Sequence, residues 1–193
     1  MRTQADKTAS FRALHERPGC FLIPNPWDAG TARILAGLGY EALATTSLGV
    51  ANILGRAGVT RDDVIANARE IVEATDLPVN ADLENCFAHE PAAAAETIRL
   101  AAEAGLAGGS IEDYSGDAKT PIYDFDLSVE RVRAAVAMAK SLPVPFMLTA
   151  RAENLIRGRS DMADTIRRLK AYSAAGRRCS MHPASGPRRR SAP

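Results

Sequence analysis

Val79-Asn80-Ala81-Asp82-Leu83-Glu84 is a short apolar run that ends on charged groups. The pattern recurs at Gly109-Ser110-Ile111-Glu112-Asp113 and at Met147-Leu148-Thr149-Ala150-Arg151-Ala152-Glu153. Each run reads as a strand, and a helical stretch follows each one. Strands alternating with helices through short links imply a parallel sheet. Carboxylates and an arginine placed just past three successive strand ends would face one shared opening. In a parallel βα-barrel that opening carries the chemistry. Two carboxylates there suit a hard divalent cation, and an arginine beside them suits an anionic substrate.

Working outward, Thr3 to Glu16 predicts a lead-in helix and Phe21-Leu22-Ile23-Pro24 a first strand. Asp28 is a fair N-cap for a helix to about Leu38, and Ala42 to Thr46 reads as the second strand. A loop with glycines at 49, 55 and 58 leads to Thr60, which forms a capping-box pattern with Asp63 and opens a helix to about Ala74. Strands over Leu77–Asp82, Ala107–Ile111 and Pro143–Thr149 alternate with helices over Pro91–Gly105, Leu127–Ser141 and Asp161–Ala175. That makes about five βα units of the usual size. The expected fold is an α/β, TIM-type (β/α) barrel, apparently truncated after about five units. At 193 residues the chain is short for eight.

Composition is that of an ordinary globular chain, with 46% hydrophobic and 24% charged residues. No apolar run is long enough to span a bilayer and no signal-peptide stretch opens the chain, so the default location is the cytoplasm and no membrane partner is expected. Three scattered cysteines imply no disulfide framework. Cys86 and His89 are spaced like half of a metal site without a second half, which favours an ordinary loop. The net charge of +1 hides an asymmetry. Five arginines and no acid lie from Arg177 on, leaving 19 basic against 23 acidic residues before it, a net of −4. That mildly acidic body argues against a nucleic-acid partner.

The division is therefore a partial barrel domain over 1–176 and a basic tail over 177–193, which has neither helical nor strand periodicity. Two readings of the tail stand. One is a disordered basic segment. The other, which is favoured, is a shifted reading frame. Starting from the third base of the Arg178 codon, the permitted codons include Val-Leu-Tyr-Ala-Pro-Gly-Leu-Arg, with the alanine forced by the Met and His codons. This would be a buried strand and a turn.

Asn25-Pro26-Trp27-Asp28-Ala29-Gly30, Ala81-Asp82-Leu83-Glu84-Asn85, Ile111-Glu112-Asp113 and Ala150-Arg151-Ala152-Glu153, in that order, resemble the isocitrate lyase and phosphoenolpyruvate mutase superfamily. The nearest branch is its phosphonomutase-like, carboxyphosphonoenolpyruvate phosphonomutase-like one. The permitted Tyr-Ala-Pro-Gly of the shifted frame is similar to what the family carries on its next strand. The resemblance implies a Mg²⁺-dependent lyase or phosphonomutase that makes or breaks a C–C or P–C bond in a small 2-oxo or enolpyruvyl acid through an enolate. It implies Asp82 and Glu112 as metal carboxylates, with Glu112 and Arg151 in the catalytic centre and Arg151 on the substrate's anionic end. Thr46, Ser47 and Leu48 would hold the substrate carboxylate. Glu84 and Glu153 fall at supporting positions, and Asp113 reads as structural, holding Arg151 or a loop amide. Trp27 reads as packing beneath the mouth. A complete chain would form a homo-oligomer as the family does.

Three departures qualify the resemblance. Asn80 stands where many relatives have an aspartate. Cys86-Phe87-Ala88 replaces an expected Gly-Tyr-Gly, which should stiffen that loop. The Lys-Lys-Cys-Gly-His signature of isocitrate lyases is absent from the corresponding loop Tyr114–Lys119, which makes isocitrate an unexpected substrate. A catalytically dead remnant of such an enzyme and a different metal-dependent barrel aldolase are the competing expectations.

Overall fold

The helices start where hydrogen-bonding side chains can satisfy the first-turn amides. Thr3, Asp28 and Thr60 each accept from the third helical N–H and complete reciprocal capping boxes with Asp6, Thr31 and Asp63. They open α1 (Gln4–Glu16), α2 (Ala29–Gly37) and α4 (Arg61–Ala74). Pro91, pre-set for a first turn, opens α5 (Pro91–Glu103). Helices α6 (Phe125–Ser141) and α7 (Met162–Ala174) complete the later units. The computed structural model describes residues 2–176 and the backbone of the strand Cys179–Met181.

Five parallel strands lie side by side in chain order: β1 (Leu43–Ala44), β2 (Val79–Ala81), β3 (Gly108–Glu112), β4 (Met147–Arg151) and β5 (Cys179–Met181). This is the winding of a (β/α) barrel, and the described strands form an open arc of it. Strand side chains alternate between faces. Val79, Ala81, Ile111, Leu148 and Ala150 therefore face outward into the main core, where they meet Val64, Ala68 and Ile71 of α4, Ile98 of α5 and Val132 of α6. The register sets Asn80 beside Gly108 and Met147, Ser110 beside Thr149, and Glu112 beside Arg151 on the inner face.

Helix α1 closes the end at which the strands begin. Phe11 and Leu14 pack on Ala42, Ala107 and Met147 at the strand N-termini. Lys7 Nζ donates to the carbonyls of Val72 and Thr75, and Gln4 Nε2 to those of Ala102 and Leu106. These bonds tie α1 to the C-terminal ends of α4 and α5. The charged groups past the strand ends gather at the opposite end, where the strands finish.

Four elements differ from the sequence reading. Phe21–Pro24 is not a strand: it runs beside β1 through one backbone bond, Ala44 N–H to Pro24 O at 3.0 Å, and Pro24 has no N–H to extend the ladder. β4 begins four residues later than expected, because Pro143 and Pro145 cannot donate. The glycine-containing loop after β1 begins with a helix, α3 (Ser47–Leu54), which stops at Gly55 in the left-handed conformation. Finally, β5 arises within the segment read as aperiodic, pairing with β4 at Thr149, Ala150 and Arg151. The rest of the 177–193 tail, and with it the disordered and shifted-frame readings, lies outside the described residues.

Gly108 shows how closely β3 and β4 approach. A Cβ at this position would lie 2.4 Å from the Met147 carbonyl oxygen and 2.8 Å from Asn80 Oδ1. A backbone oxygen inside the sheet has nowhere to go. Gly108→Ala should therefore lower stability by about 1–3 kcal/mol in denaturant melts; a neutral result would mean that β3 and β4 are spaced widely enough to admit a methyl group.

Candidate active site at the strand C-termini

The polar cluster is assembled where the ladder of β2 runs out. Past Ala81 the next two amides are taken by hydroxyls of neighbouring strand segments: Asp82 N–H donates to Thr45 Oγ1 (3.1 Å) and Leu83 N–H to Ser110 Oγ (3.4 Å). Glu112 N–H then donates to Glu84 O at 2.9 Å. These bonds carry the chain over the strand end and turn Asp82 toward the opening. There the first turn of α3 meets it, with Ser47 N–H and Oγ–H both donating to Asp82 Oδ2 (3.1 and 2.9 Å).

Glu112 and Arg151 are register partners at the ends of β3 and β4. Arg151 Nη1 lies 3.3 Å from both Asp82 Oδ1 and Glu112 Oε2, so one nitrogen bridges the two carboxylates. The other side of the guanidinium is held by Glu153, whose Oε1 accepts from Nε (3.1 Å) and Nη2 (2.8 Å). Glu112 is 5% exposed and Glu153 fully buried. Burial, then the charge of Glu153, push the Glu112 carboxyl up to about 8. Burial also raises Glu84 and Glu153. Four carboxylates thus face two arginines, Arg151 and Arg157, and Glu153 Oε2 is buried with no hydrogen-bond partner. The cluster is short of positive charge.

Asp82, Glu112 and Arg151, expected from the sequence to share a mouth, are together. Ser47 joins them through Asp82. Thr46 is the N-cap of α3 without a side-chain cap bond, and Leu48 is 69% exposed in its first turn. The amides of Leu48 and Gly49 sit where no i−4 carbonyl is available, which leaves N–H groups for an anion at this rim. Trp27 is 46% exposed and its ring lies against that turn: a Cβ on Gly49 would meet its Cδ1 at 2.7 Å.

Asp113 is structural, and its partner arginine is Arg168, not Arg151. Its Oδ1 accepts from Glu153 N–H (2.8 Å), and its Oδ2 accepts from Tyr172 Oη–H (2.7 Å) and Arg168 Nη1 (3.3 Å). Arg168 also reaches Asp164, Tyr123 O and Ser128. This buried hub fixes the loop that carries Glu153, and through it Arg151.

The loop after β2 departs from expectation in an informative way. Cys86 (φ 59°) and Phe87 (φ 54°) occupy the left-handed region, as does Glu84 (φ 48°). Cys86 stands where a glycine was anticipated and Phe87 where a tyrosine was, so at Cys86 the chain keeps a glycine-like conformation without a glycine. Arg131, 1% exposed, holds this path by donating to the carbonyls of Asn85, Ala88 and His89, with its guanidinium over the Tyr123 ring. Thr97 Oγ1 donates to Cys86 O at 2.7 Å. Cys86 itself points into the core, and burial pushes its thiol up to about 12. His89 Nδ1 bonds Tyr123 Oη at 2.7 Å. The pair is not half of a metal site. Because φ is positive at 86, Cys86→Gly should be more stable than Cys86→Ala by about 1 kcal/mol, the reverse of an ordinary position. Chemical denaturation of the two variants reads this, and a more stable alanine variant would contradict the backbone assignment.

Asp82 and Glu112 also pass the test for a divalent cation. Among the described residues no three His, Cys, Asp or Glu side chains converge as a closed cage. Mg²⁺ needs none, since one or two carboxylates and several waters complete its octahedron. The donors are hard oxygens, the cluster lacks positive charge, and the guanidinium nitrogen already lying between Asp82 and Glu112 marks a cation position.

Sequence reasoning missed two residues of the cluster's surround. Arg157 lies six residues past Arg151 on a turn, with no periodicity to mark it. Arg168 reads as one of several charges on α7, and only its burial distinguishes it.

An arc of parallel βα units with paired carboxylates and arginines at the strand C-termini defines the class: a (β/α)-barrel protein with an acidic, anion-facing site. The chain belongs to the phosphoenolpyruvate phosphomutase family, which it matches over residues 11–189. It is similar to the 2-methylisocitrate lyase of Escherichia coli K12, with 31% identity over 179 residues covering 86% of this chain and 58% of that enzyme. A structure from Burkholderia cenocepacia J2315, provisionally classed as a lyase/mutase, superposes with a TM-score of 0.91 at 57% identity, over 93% of this chain and 65% of that one. The structure of 2,3-dimethylmalate lyase, a PEP mutase/isocitrate lyase superfamily member, gives 0.82 at 28% identity, over 95% and 64%. The chain therefore spans about three fifths of the relatives it matches. Among the described residues, no helix is long and apolar enough to cross a membrane.

Proposed function

We propose that this chain carries the site of a Mg²⁺-dependent lyase or phosphonomutase acting on a small 2-oxo or enolpyruvyl acid, with C–C or P–C bond making or breaking through an enolate. The observation that supports it most is the placement of Asp82 and Glu112 on adjacent strand ends, each 3.3 Å from the same cationic nitrogen. Asp82 and Glu112 would hold the metal, whose contribution when bound is Lewis-acid stabilisation of developing enolate charge.

The chain's own residues do the rest. Ser47 orients Asp82, and Glu153 orients Arg151, so both groups are held before substrate arrives. The α3 start at Thr46, Ser47 and Leu48 would hold the substrate carboxylate, with the first-turn amides of Leu48 and Gly49 as N–H donors, the Ser47 amide being held by Asp82. Arg151 lies where a guanidinium would stabilise the anionic end of the reacting group. Burial of Glu112 and Glu153 lowers the local dielectric, which strengthens each of these interactions. A complete chain would form a homo-oligomer.

The test is calorimetric titration with oxalate, a mimic of the enolate, with and without Mg²⁺. Saturable binding that requires Mg²⁺ is expected. Equal binding without the metal, or none with it, would refute the proposal.

A further inference from the structure

Two arginines face the acidic cluster, and they are occupied very differently. Arg151 spends Nε, Nη1 and Nη2 on Asp82, Glu112 and Glu153. Arg157 makes no side-chain hydrogen bond among the described residues. Its Nη2 forms ion pairs with Glu153 Oε2 and Glu112 Oε1 at 3.5 and 3.6 Å, too long for good hydrogen bonds, and its buried Nε has no hydrogen-bond partner. Yet the guanidinium is not loose. It lies 3.5 Å above the Tyr114 ring, and the backbone of its turn is pinned by Arg157 N–H to Glu153 O and Arg159 N–H to Asn154 O. A planar cation clamped over an aromatic face, 32% exposed beside the site, with two long ion pairs and no side-chain hydrogen bond among the described residues, is arranged for an incoming oxyanion.

We infer that Arg157 recognises a second anionic group of the substrate, a terminal carboxylate or phosphonate carried beyond the 2-oxo acid head. The inference deepens the proposed function and rests on it for the position of that head. Arg151, bridging Asp82 and Glu112, serves the reacting group at the metal end. Arg157, on the Tyr114 side, reads the far end and so selects dianionic over monoanionic 2-oxo acids. Tyr114 begins the segment that returns at Ile122 through an antiparallel bridge, so the stacked ring also fixes one edge of the mouth.

Three probes separate the ends of the site: oxalate, which spans the head alone; 3,3-difluorooxaloacetate, which adds a terminal carboxylate; and phosphonopyruvate, which adds a phosphonate. Each is titrated with Mg²⁺ into the wild type, Arg157→Gln and Arg157→Lys. Arg157→Gln should bind oxalate within about twofold of wild type and bind the preferred longer probe about tenfold or more weakly, with partial recovery in Arg157→Lys. Which longer probe loses more identifies carboxylate or phosphonate as the terminal group. Equal losses on all three probes, or none, would overturn the inference, because Arg157 would then shape the whole site or none of it. Wild type that binds oxalate but neither longer probe would overturn it as well, leaving the proposed function standing. Arg157-dependent binding of a longer probe without Mg²⁺-dependent oxalate binding would sink the metal reading and keep Arg157. Binding of no probe would sink both.

Discussion

Asp82→Ala is expected to weaken Mg²⁺-dependent oxalate binding by at least about 100-fold while the protein still folds. Groups that merely orient a metal ligand cost up to about 100-fold when removed, and Asp82 is placed as a ligand itself. Its structural contribution is smaller. Asp82 Oδ2 accepts from Ser47 N–H and Oγ–H at the start of α3, a capping interaction worth about 1 kcal/mol. The alanine variant should therefore lose roughly that much stability. Asp82→Asn separates the two roles. The amide oxygen can still accept from Ser47, so stability should recover, but the neutral group should not restore metal-dependent binding. An alanine variant that binds oxalate like the wild type would remove Asp82 from the site, however well its geometry fits.

The second large effect is on stability. Asp113→Ala should lower it by about 3–5 kcal/mol, the usual result of removing one partner from a buried ion pair. Three donors lose their acceptor at once: Arg168, Tyr172 Oη and the Glu153 amide. Arg168 is 6% exposed and would keep Asp164 as its only carboxylate. The Asp113→Asn variant retains an acceptor for the Glu153 amide and should recover part of the loss. Urea or guanidinium melts give both values. A loss under 1 kcal/mol would show that water or relaxation replaces Asp113, and that the loop bearing Glu153 is held by other means. Because Glu153 orients Arg151, the same variant should weaken substrate-analogue binding even where it remains folded.

The pattern of exposed apolar residues fits a chain that spans three fifths of its relatives. Leu22, Ile34 and Leu38 lie on the β1 side of the arc, and Met162 and Ile166 on α7, near β5. A barrel closes by covering both sides, and an open parallel sheet leaves ladder groups and helix faces unpaired.

Much of this protein is written locally. Capping boxes at Thr3, Asp28 and Thr60 set helix starts through contacts only three residues apart. The alternation of β-type and helical runs specified parallel winding, and the period of two placed Asp82, Glu112 and Arg151 at equivalent strand ends. Those features need only neighbours in sequence, so residue type and spacing determined them. What tertiary structure decided depends on partners distant in the chain. Helix α3 was hidden because Gly49 lies in its first turn, and that glycine is set by the approach of Trp27, 22 residues earlier. The left-handed path at Cys86 and Phe87 opposes local preference and is held by Arg131 on α6. β5 pairs because β4 offers an edge, whatever the periodicity of its own residues. Asp113 takes Arg168 over Arg151 because burial on the outer side of the strand end puts α7 nearer than the mouth, and Arg157 enters the site because its turn stacks it on Tyr114. Local spacing can place a charged group at a strand end, but which charge it meets there is settled by the packing that brings distant segments into contact.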